Sequence, residues 1–214
     1  MLIDKFISHI KKVCPKYEPN VILDIGSRDL EQSIEFSSIY SNAKIIAFEP
    51  NPQQFNVCLD KSKSFSNIRV EQLAVSNVNG DLDFYITHGN IGASSLLEPI
   101  NIPFASTQEY SKISVKSIKL NEWLDENNIE NVDIMWLDTQ GIELDALKSM
   151  GDKIKNVKFI HCEASELPYY KGHLLKTELT IFLESLGFEL IFINEAYHPF
   201  NEGDIIATNK NLIY

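Results

Sequence analysis

Two carboxylates in this 214-residue chain each close an apolar run. Asp138 follows Met135-Trp136-Leu137, and Glu163 follows Ile160-His161-Cys162. Such runs read as strands covered on both faces, and residues at the carboxyl ends of strands are where open α/β sheets bind ligands. A carboxylate placed there is costly unless it has a partner. Two at neighbouring strand ends therefore point either to a divalent ion of the Mg²⁺ type, which holds a substrate oxygen and lowers its pKa, or to proton removal by a general base. His161 shares a strand face with Glu163 by the two-residue period. It reads either as that base, oriented by Asp138 or Glu163, or as a satisfied histidine of the core. Gln140 and Glu143 follow Asp138, and Glu143 is placed to support the N-terminus of the next helix. His173, in Tyr169-Tyr170-Lys171-Gly172-His173, is a second candidate base on a loop whose rings could wall a substrate, while His88 and His198 read as loop residues.

A second pair of acids marks a binding site. Val21-Ile22-Leu23-Asp24-Ile25-Gly26 is one apolar run and Ile45-Ile46-Ala47-Phe48-Glu49-Pro50 another. The interval from Gly26 to Glu49 holds one helix between two parallel strands, the half-unit that binds an adenosine-bearing ligand. In that arrangement Glu49 accepts the ribose hydroxyls and Gly26 lets the backbone come close. Asp24 holds the turn or accepts from an ammonium group through water. The other reading of Glu49 is an acid capping the helix after Pro50 and Pro52. Ala74, at the end of a third strand, falls beside the adenine, with Gln72 or Leu73 against the ring. Beyond Gly26 the chain reads Ser27-Arg28-Asp29-Leu30-Glu31, without the later glycines that let a backbone approach a pyrophosphate. Asp29 and Glu31 would repel that group, whereas the sulfonium and ammonium of S-adenosylmethionine suit them. An NAD(P)-dependent oxidoreductase is disfavoured on the same ground.

The elements that must position these residues alternate. An amphipathic helix at the start (Leu2, Ile3, Phe6, Ile7, Ile10) reads as a cap on the sheet or as a surface that touches a membrane. Strands are expected at Val21–Ile25, Lys44–Phe48, Ile68–Leu73, Val132–Leu137, Val157–Cys162, Phe188–Ile193 and Asp204–Thr208. Helices are expected at Leu30–Tyr40, from Pro52 through Ser62, at Ile142–Met150 and at Leu174–Leu186. The short polar connection Asn194–Gly203 makes the last two strands an antiparallel pair at one sheet edge. The expected fold is α/β: three layers around a mostly parallel, Rossmann-like seven-stranded sheet with an antiparallel edge strand. One domain spans 1–214, with 1–19 a helix and linker. Residues 75–121 break the rhythm with a hairpin at Leu82–Ile86, the small-residue run Gly89–Ser95 and a β-like Lys112–Ile118; an insertion this long reads as a lid near the ligand.

Composition narrows the partners. A net charge of −11 argues against a nucleic-acid surface, which needs clustered Lys and Arg. The three cysteines lack a CxxC spacing and read as reduced thiols of a cytoplasmic protein. No apolar stretch reaches transmembrane length, and no signal-peptide pattern opens the chain.

Four blocks together resemble the FkbM-type methyltransferases: Leu23-Asp24-Ile25-Gly26; Ala47-Phe48-Glu49-Pro50-Asn51-Pro52; Ser94-Ser95-Leu96; and Asp133-Ile134-Met135-Trp136-Leu137-Asp138-Thr139-Gln140-Gly141-Ile142-Glu143. The family often continues its first motif as Ala-Asn-x-Gly, where this chain has Ser27-Arg28-Asp29-Leu30. The resemblance implies the class I methyltransferase fold and S-adenosylmethionine-dependent methylation of a hydroxyl, most plausibly of a sugar or glycan. With the strand-end reading above, the cofactor is expected at Asp24, Gly26, Ser27, Glu49, Pro50, Ala74 and Asp138, and catalysis at Asp138, Glu163 and His161. A non-sugar natural product as acceptor, or a catalytically silent binding module, are the competing readings.

Overall fold

The computed structural model describes residues 2–100, 109–193 and 202–212. Its frame is a seven-stranded sheet in which β1 (Val21–Ile25), β2 (Lys44–Phe48) and β3 (Ile68–Glu71) lie to one side of a switch point. On the other side lie β7 (Ile134–Leu137), β8 (Phe159–Ser165), β10 (Glu202–Asn209) and β9 (Phe188–Ile193), in that spatial order. β1 is parallel to both β2 and β7, and β7 to β8, while β10 runs antiparallel to β8 and β9. The chain leaves β1 toward β2 and returns later to lay β7 against the other flank of β1. That reversal opens the ligand crevice of an α/β sheet at the carboxyl ends of β1 and β7.

Among the described residues, six α-helices flank the sheet: α1 (Leu2–Val13), α2 (Glu31–Ile39), α3 (Pro52–Ser62), α4 (Leu120–Glu126), α5 (Glu143–Lys148) and α6 (Lys176–Ser185). One apolar layer joins α1 to the sheet through Ile3, Phe6, Ile7 and Ile10, whose three- and four-residue spacing makes a single face. Phe6 meets Trp136 edge-on with ring centres 5.7 Å apart. The opposite layer packs α4, α5 and α6 on Met135, Leu137, Ile160 and Cys162.

Residues 74–118 build a second, three-stranded sheet in the order β4 (Ala74–Val75), β6 (Tyr110–Ile118), β5 (Gly80–Thr87). This corrects the expectation of a hairpin within Leu82–Ile86. That segment is one strand, and its antiparallel partner is β6, from Thr87↔Tyr110 to Gly80↔Ser117. A hairpin keeps its second strand next in sequence, whereas the mate here begins at Tyr110, beyond a connection too long for a tight turn. β8 runs three residues past the expected Cys162 because β10 pairs with it as far as Ser165↔Glu202. The connection expected at Asn194–Gly203, with His198, falls largely outside the described residues. Among the described residues no helix is long and apolar enough to cross a membrane.

Register decides what the sheet presents at its upper edge. Phe48, Ile25, Leu137 and Cys162 form one row across β2, β1, β7 and β8. The next residue of each strand is therefore Glu49, Gly26, Asp138 and Glu163, on neighbouring strands about 4.8 Å apart. Gly26 is the fulcrum of this row. Its φ is +87°, and a Cβ built on it would lie 1.9 Å from the Asp138 carbonyl oxygen. Gly26→Ala should therefore destabilise the fold by about 3 kcal/mol or more, measured as a drop in the urea midpoint. A change within about 0.5 kcal/mol, the range of an ordinary surface substitution, would contradict the close approach.

Candidate active site

A cleft of about 560 Å³ opens above this row on the β2 side. Its floor is Gly26, Glu49 and Asp138, and its wall comes from Ala74, Phe84 and Leu96 of the second sheet and its connections. Pro50 also lines it. Glu49 is 6 % exposed, and its two oxygens are each held by one backbone N–H: Oε2 by Arg28 and Oε1 by Asn51, both at 2.8 Å. Burial pushes its carboxyl up to about 7, against the pull of those two amides. A carboxylate so fixed keeps lone pairs for two neighbouring hydroxyls. The capping of α3 falls instead to Asn51, whose Oδ1 accepts from Gln53 N at 3.0 Å.

The turn after β1 is held from below. Asp24 is buried, and its Oδ2 accepts from the hydroxyls of Ser27 (2.8 Å) and Ser33. Burial raises its carboxyl to about 6. Asp24 and Ser27 do not line the cleft; they hold the turn that does. The amides of Gly26 and Ser27 both donate to Phe48 O, at 3.0 and 3.1 Å, which ties this turn to β2. Where the family has Asn and Gly, Arg28 and Leu30 take left-handed backbone at φ 49° and 69°. Leu30 is fully buried, so packing holds it in a conformation that glycine adopts without cost. Arg28 places its side chain along the cleft.

Beyond Asp138 the chain turns sharply through Gln140 (φ 56°) and Gly141 (φ 103°). Glu143, the first residue of α5, folds back to accept from Thr139 N (2.8 Å), Thr139 Oγ1 (3.0 Å) and Gly141 N (3.1 Å). It thus organises the loop before its helix, and burial raises its carboxyl. The loop carries Gln140 between the two acids: Nε2 donates to Asp138 Oδ1 at 2.8 Å and to Glu163 Oε2 at 2.6 Å. Tyr170 Oη lies 3.0 Å from Gln140 Oε1 and 2.9 Å from Ala93 O, and Ser95 Oγ donates to Gln140 O at 2.8 Å. Segment 91–100 is thereby strapped over the loop. Gln140 and Tyr170 were not singled out for this role from sequence; the signal in hand was the Gln140-Gly141 turn directly after an acid.

On the far side of Gln140 lies a small recess lined by Glu163, Glu202, Tyr170 and His173. Burial raises the carboxyl of Asp138 and holds that of Glu163 well above the usual carboxylate range, where Asp138 and Glu202 add to the effect of burial. Glu202 is pushed up to about 7 by burial and by Asp138, Glu143 and Asp204. His173 Nδ1 accepts from Tyr169 N at 3.2 Å, and burial lowers its pKa, so the ring is neutral with its proton on Nε2.

Two expectations meet a different geometry. His161 faces α1, stacked on Trp136 with ring centres 3.6 Å apart and paired through Nε2 with Asp204 Oδ1 at 3.1 Å. It lines neither cavity; the two-residue period put it on the face of Glu163, and Phe6 of α1 covers that face one step below. Asp138 and Glu163 do converge, but on an amide donor, so the point between them that a divalent ion would take is filled by Gln140 Nε2. Among the described residues no three His, Cys, Asp or Glu side chains are grouped to hold a metal ion.

The order of the strands and their flanking helices is that of the class I methyltransferase fold. The same sheet occurs in the magnesium protoporphyrin IX methyltransferase of Synechocystis PCC 6803, solved with bound S-adenosylmethionine (TM-score 0.54, 8 % identity, 97 % of this chain and 79 % of that one). Residues 24–190 match the methyltransferase FkbM domain, and the chain belongs to that family. It is 30 % identical over 201 residues to the 2-O-methyltransferase NoeI of Sinorhizobium fredii, covering 90 % of this chain and 80 % of that protein. To the hexuronic acid methyltransferase AglP of Haloferax volcanii it is 25 % identical over 150 residues, covering 68 % and 56 % respectively. The chain is a methyltransferase; S-adenosylmethionine is the donor bound in the Synechocystis structure.

The cleft fits that donor, since a fixed carboxylate and an apolar slot are what a nucleoside requires. Ionised Glu49 accepts hydroxyl hydrogens; protonated Glu49 loses one acceptor oxygen. Affinity for S-adenosylhomocysteine should therefore rise with pH through about 7 and level off above it. Calorimetric titration at several pH values checks this, with Glu49→Gln expected to weaken binding and flatten the profile. A wild-type profile flat from pH 6 to 8 would contradict it.

Proposed function

We propose that this enzyme transfers the methyl group of S-adenosylmethionine to a hydroxyl of a sugar or glycan, with Glu49 holding the ribose and Asp138 receiving the acceptor's proton. The observation that carries this reading is the meeting of two cavities at Gln140, the donor cleft on one side and the acidic recess on the other, with Asp138 and Glu163 hydrogen-bonded to its amide. Gly26, Pro50 and Ala74 shape the donor cleft, and Asp24 and Ser27 hold its turn. The described part of the insertion around 91–100 serves as the lid, strapped to the Gln140 loop through Ser95 and to Tyr170 through Ala93. The saccharide acceptor draws its support from AglP, a hexuronic acid methyltransferase, and from NoeI, a 2-O-methyltransferase.

The bound donor supplies an electrophilic methyl carbon on a positively charged sulfur. In-line displacement gains most from positioning, so the residues that aim the acceptor oxygen matter more than any covalent step. The new carbon–oxygen bond forms as the carbon–sulfur bond breaks, and the hydroxyl proton passes to the carboxylate of Asp138. Burial raises that carboxyl above the usual carboxylate range, which makes it a stronger proton acceptor than an exposed aspartate. Gln140 keeps Asp138 and Glu163 apart by giving each one hydrogen, and the recess beyond, with Tyr170 and neutral His173, takes the acceptor. His161 has no part in proton transfer on this reading. No step runs through a divalent ion, because Gln140 fills the place between the carboxylates.

Asp138→Asn should cut kcat by ~10²–10⁴-fold while leaving S-adenosylhomocysteine affinity within about threefold, read from initial rates with labelled donor and from calorimetry. A fully active variant would remove Asp138 from catalysis. Activity should also persist in excess EDTA, whereas a loss restored by Mg²⁺ would reinstate a metal at this site.

A further inference from the structure

We infer that the Arg28 guanidinium holds the α-carboxylate of the donor's methionine portion; this rests on the donor reading of the cleft. Arg28 is the single Lys or Arg among the described residues lining that cleft, whose other charged groups are Glu49 and Asp138. Two carboxylates suit the donor's sulfonium and ammonium, and its one negative group then calls for one cation. Arg28 does not line the recess beyond Gln140, which separates it from the acceptor.

Three features place the guanidinium for this role. Its backbone N–H donates to Glu49 Oε2 at 2.8 Å, so the carboxylate beneath the nucleoside fixes where the arginine side chain starts. Its φ of 49° is one that glycine adopts more readily, and strain of this kind concentrates at ligand clamps. Gly92 of the insertion lies beside it: a Cβ built there would sit 3.4 Å from Arg28 Nη1, at ordinary contact, so the guanidinium lies within the cleft against the insertion. The ion pair with Asp29 is 3.4 Å long, with the arginine side chain 49 % exposed, the kind of surface pair that contributes little and is readily exchanged for a better one. A guanidinium meeting a carboxylate offers two parallel hydrogen bonds, which a lysine cannot reproduce.

The test compares S-adenosylhomocysteine with 5′-methylthioadenosine, which keeps the nucleoside and sulfur and lacks the amino-acid portion. Arg28→Gln removes the charge, and Arg28→Gly does so with a residue at ease at positive φ. Both variants should bind S-adenosylhomocysteine on the order of ten-fold or more weakly by calorimetry, with 5′-methylthioadenosine affinity changed by less than about twofold. Equal losses for the two ligands, or no loss for either, would overturn the assignment. If the wild-type protein bound neither ligand, the donor reading itself would fall, and this inference with it.

Discussion

The approach of Gly26 to the Asp138 carbonyl is the constraint on which the rest of the site depends. Two strands that are distant in sequence meet at the switch point of the sheet, and only a residue without a Cβ lets them come that near. Because β2, β1, β7 and β8 share one register, this contact also aligns Glu49 and Glu163 on the same row. The proposed binding and reacting groups are thus placed by main-chain hydrogen bonds of the sheet rather than by loop conformation. The loops add to that row but do not set it.

The row is electrostatically uncomfortable without ligand. Asp24, Glu49, Asp138, Glu143 and Glu163 are all pushed upward, and burial is the largest cause for each. Backbone amides, serine hydroxyls and the Gln140 amide hold these acids in place without cancelling their charge. A buried acidic surface of this kind favours a cationic ligand and disfavours a pyrophosphate, in keeping with the missing glycines after Gly26. The same burial that costs stability raises the Asp138 carboxyl, the direction that favours its proposed part in taking a proton.

Much of the frame is legible from residue order because strands buried on both faces leave continuous apolar runs. Val21–Ile25, Lys44–Phe48 and Phe188–Ile193 coincide with the strands observed. Less legible is what depends on distant partners. The mate of Leu82–Ile86 is β6, and β8 is lengthened by β10; neither pairing leaves a local signature. At the site, Glu49 and Asp138 stand out as acids closing apolar runs, but the amide between Asp138 and Glu163 does not. A glutamine in a turn gives no sign of its partners until the turn is folded. His161 shows the reverse case, where a strand period places a residue on the right face and only α1 reveals that this face is covered.

The crystal structure of this enzyme with S-adenosylhomocysteine tests the central claim most directly. The account predicts both ribose hydroxyls within hydrogen-bond distance of the Glu49 carboxylate, and the sulfur directed toward Asp138 and Gln140. A nucleoside lodged away from Glu49, or a sulfur facing away from Asp138, would contradict it.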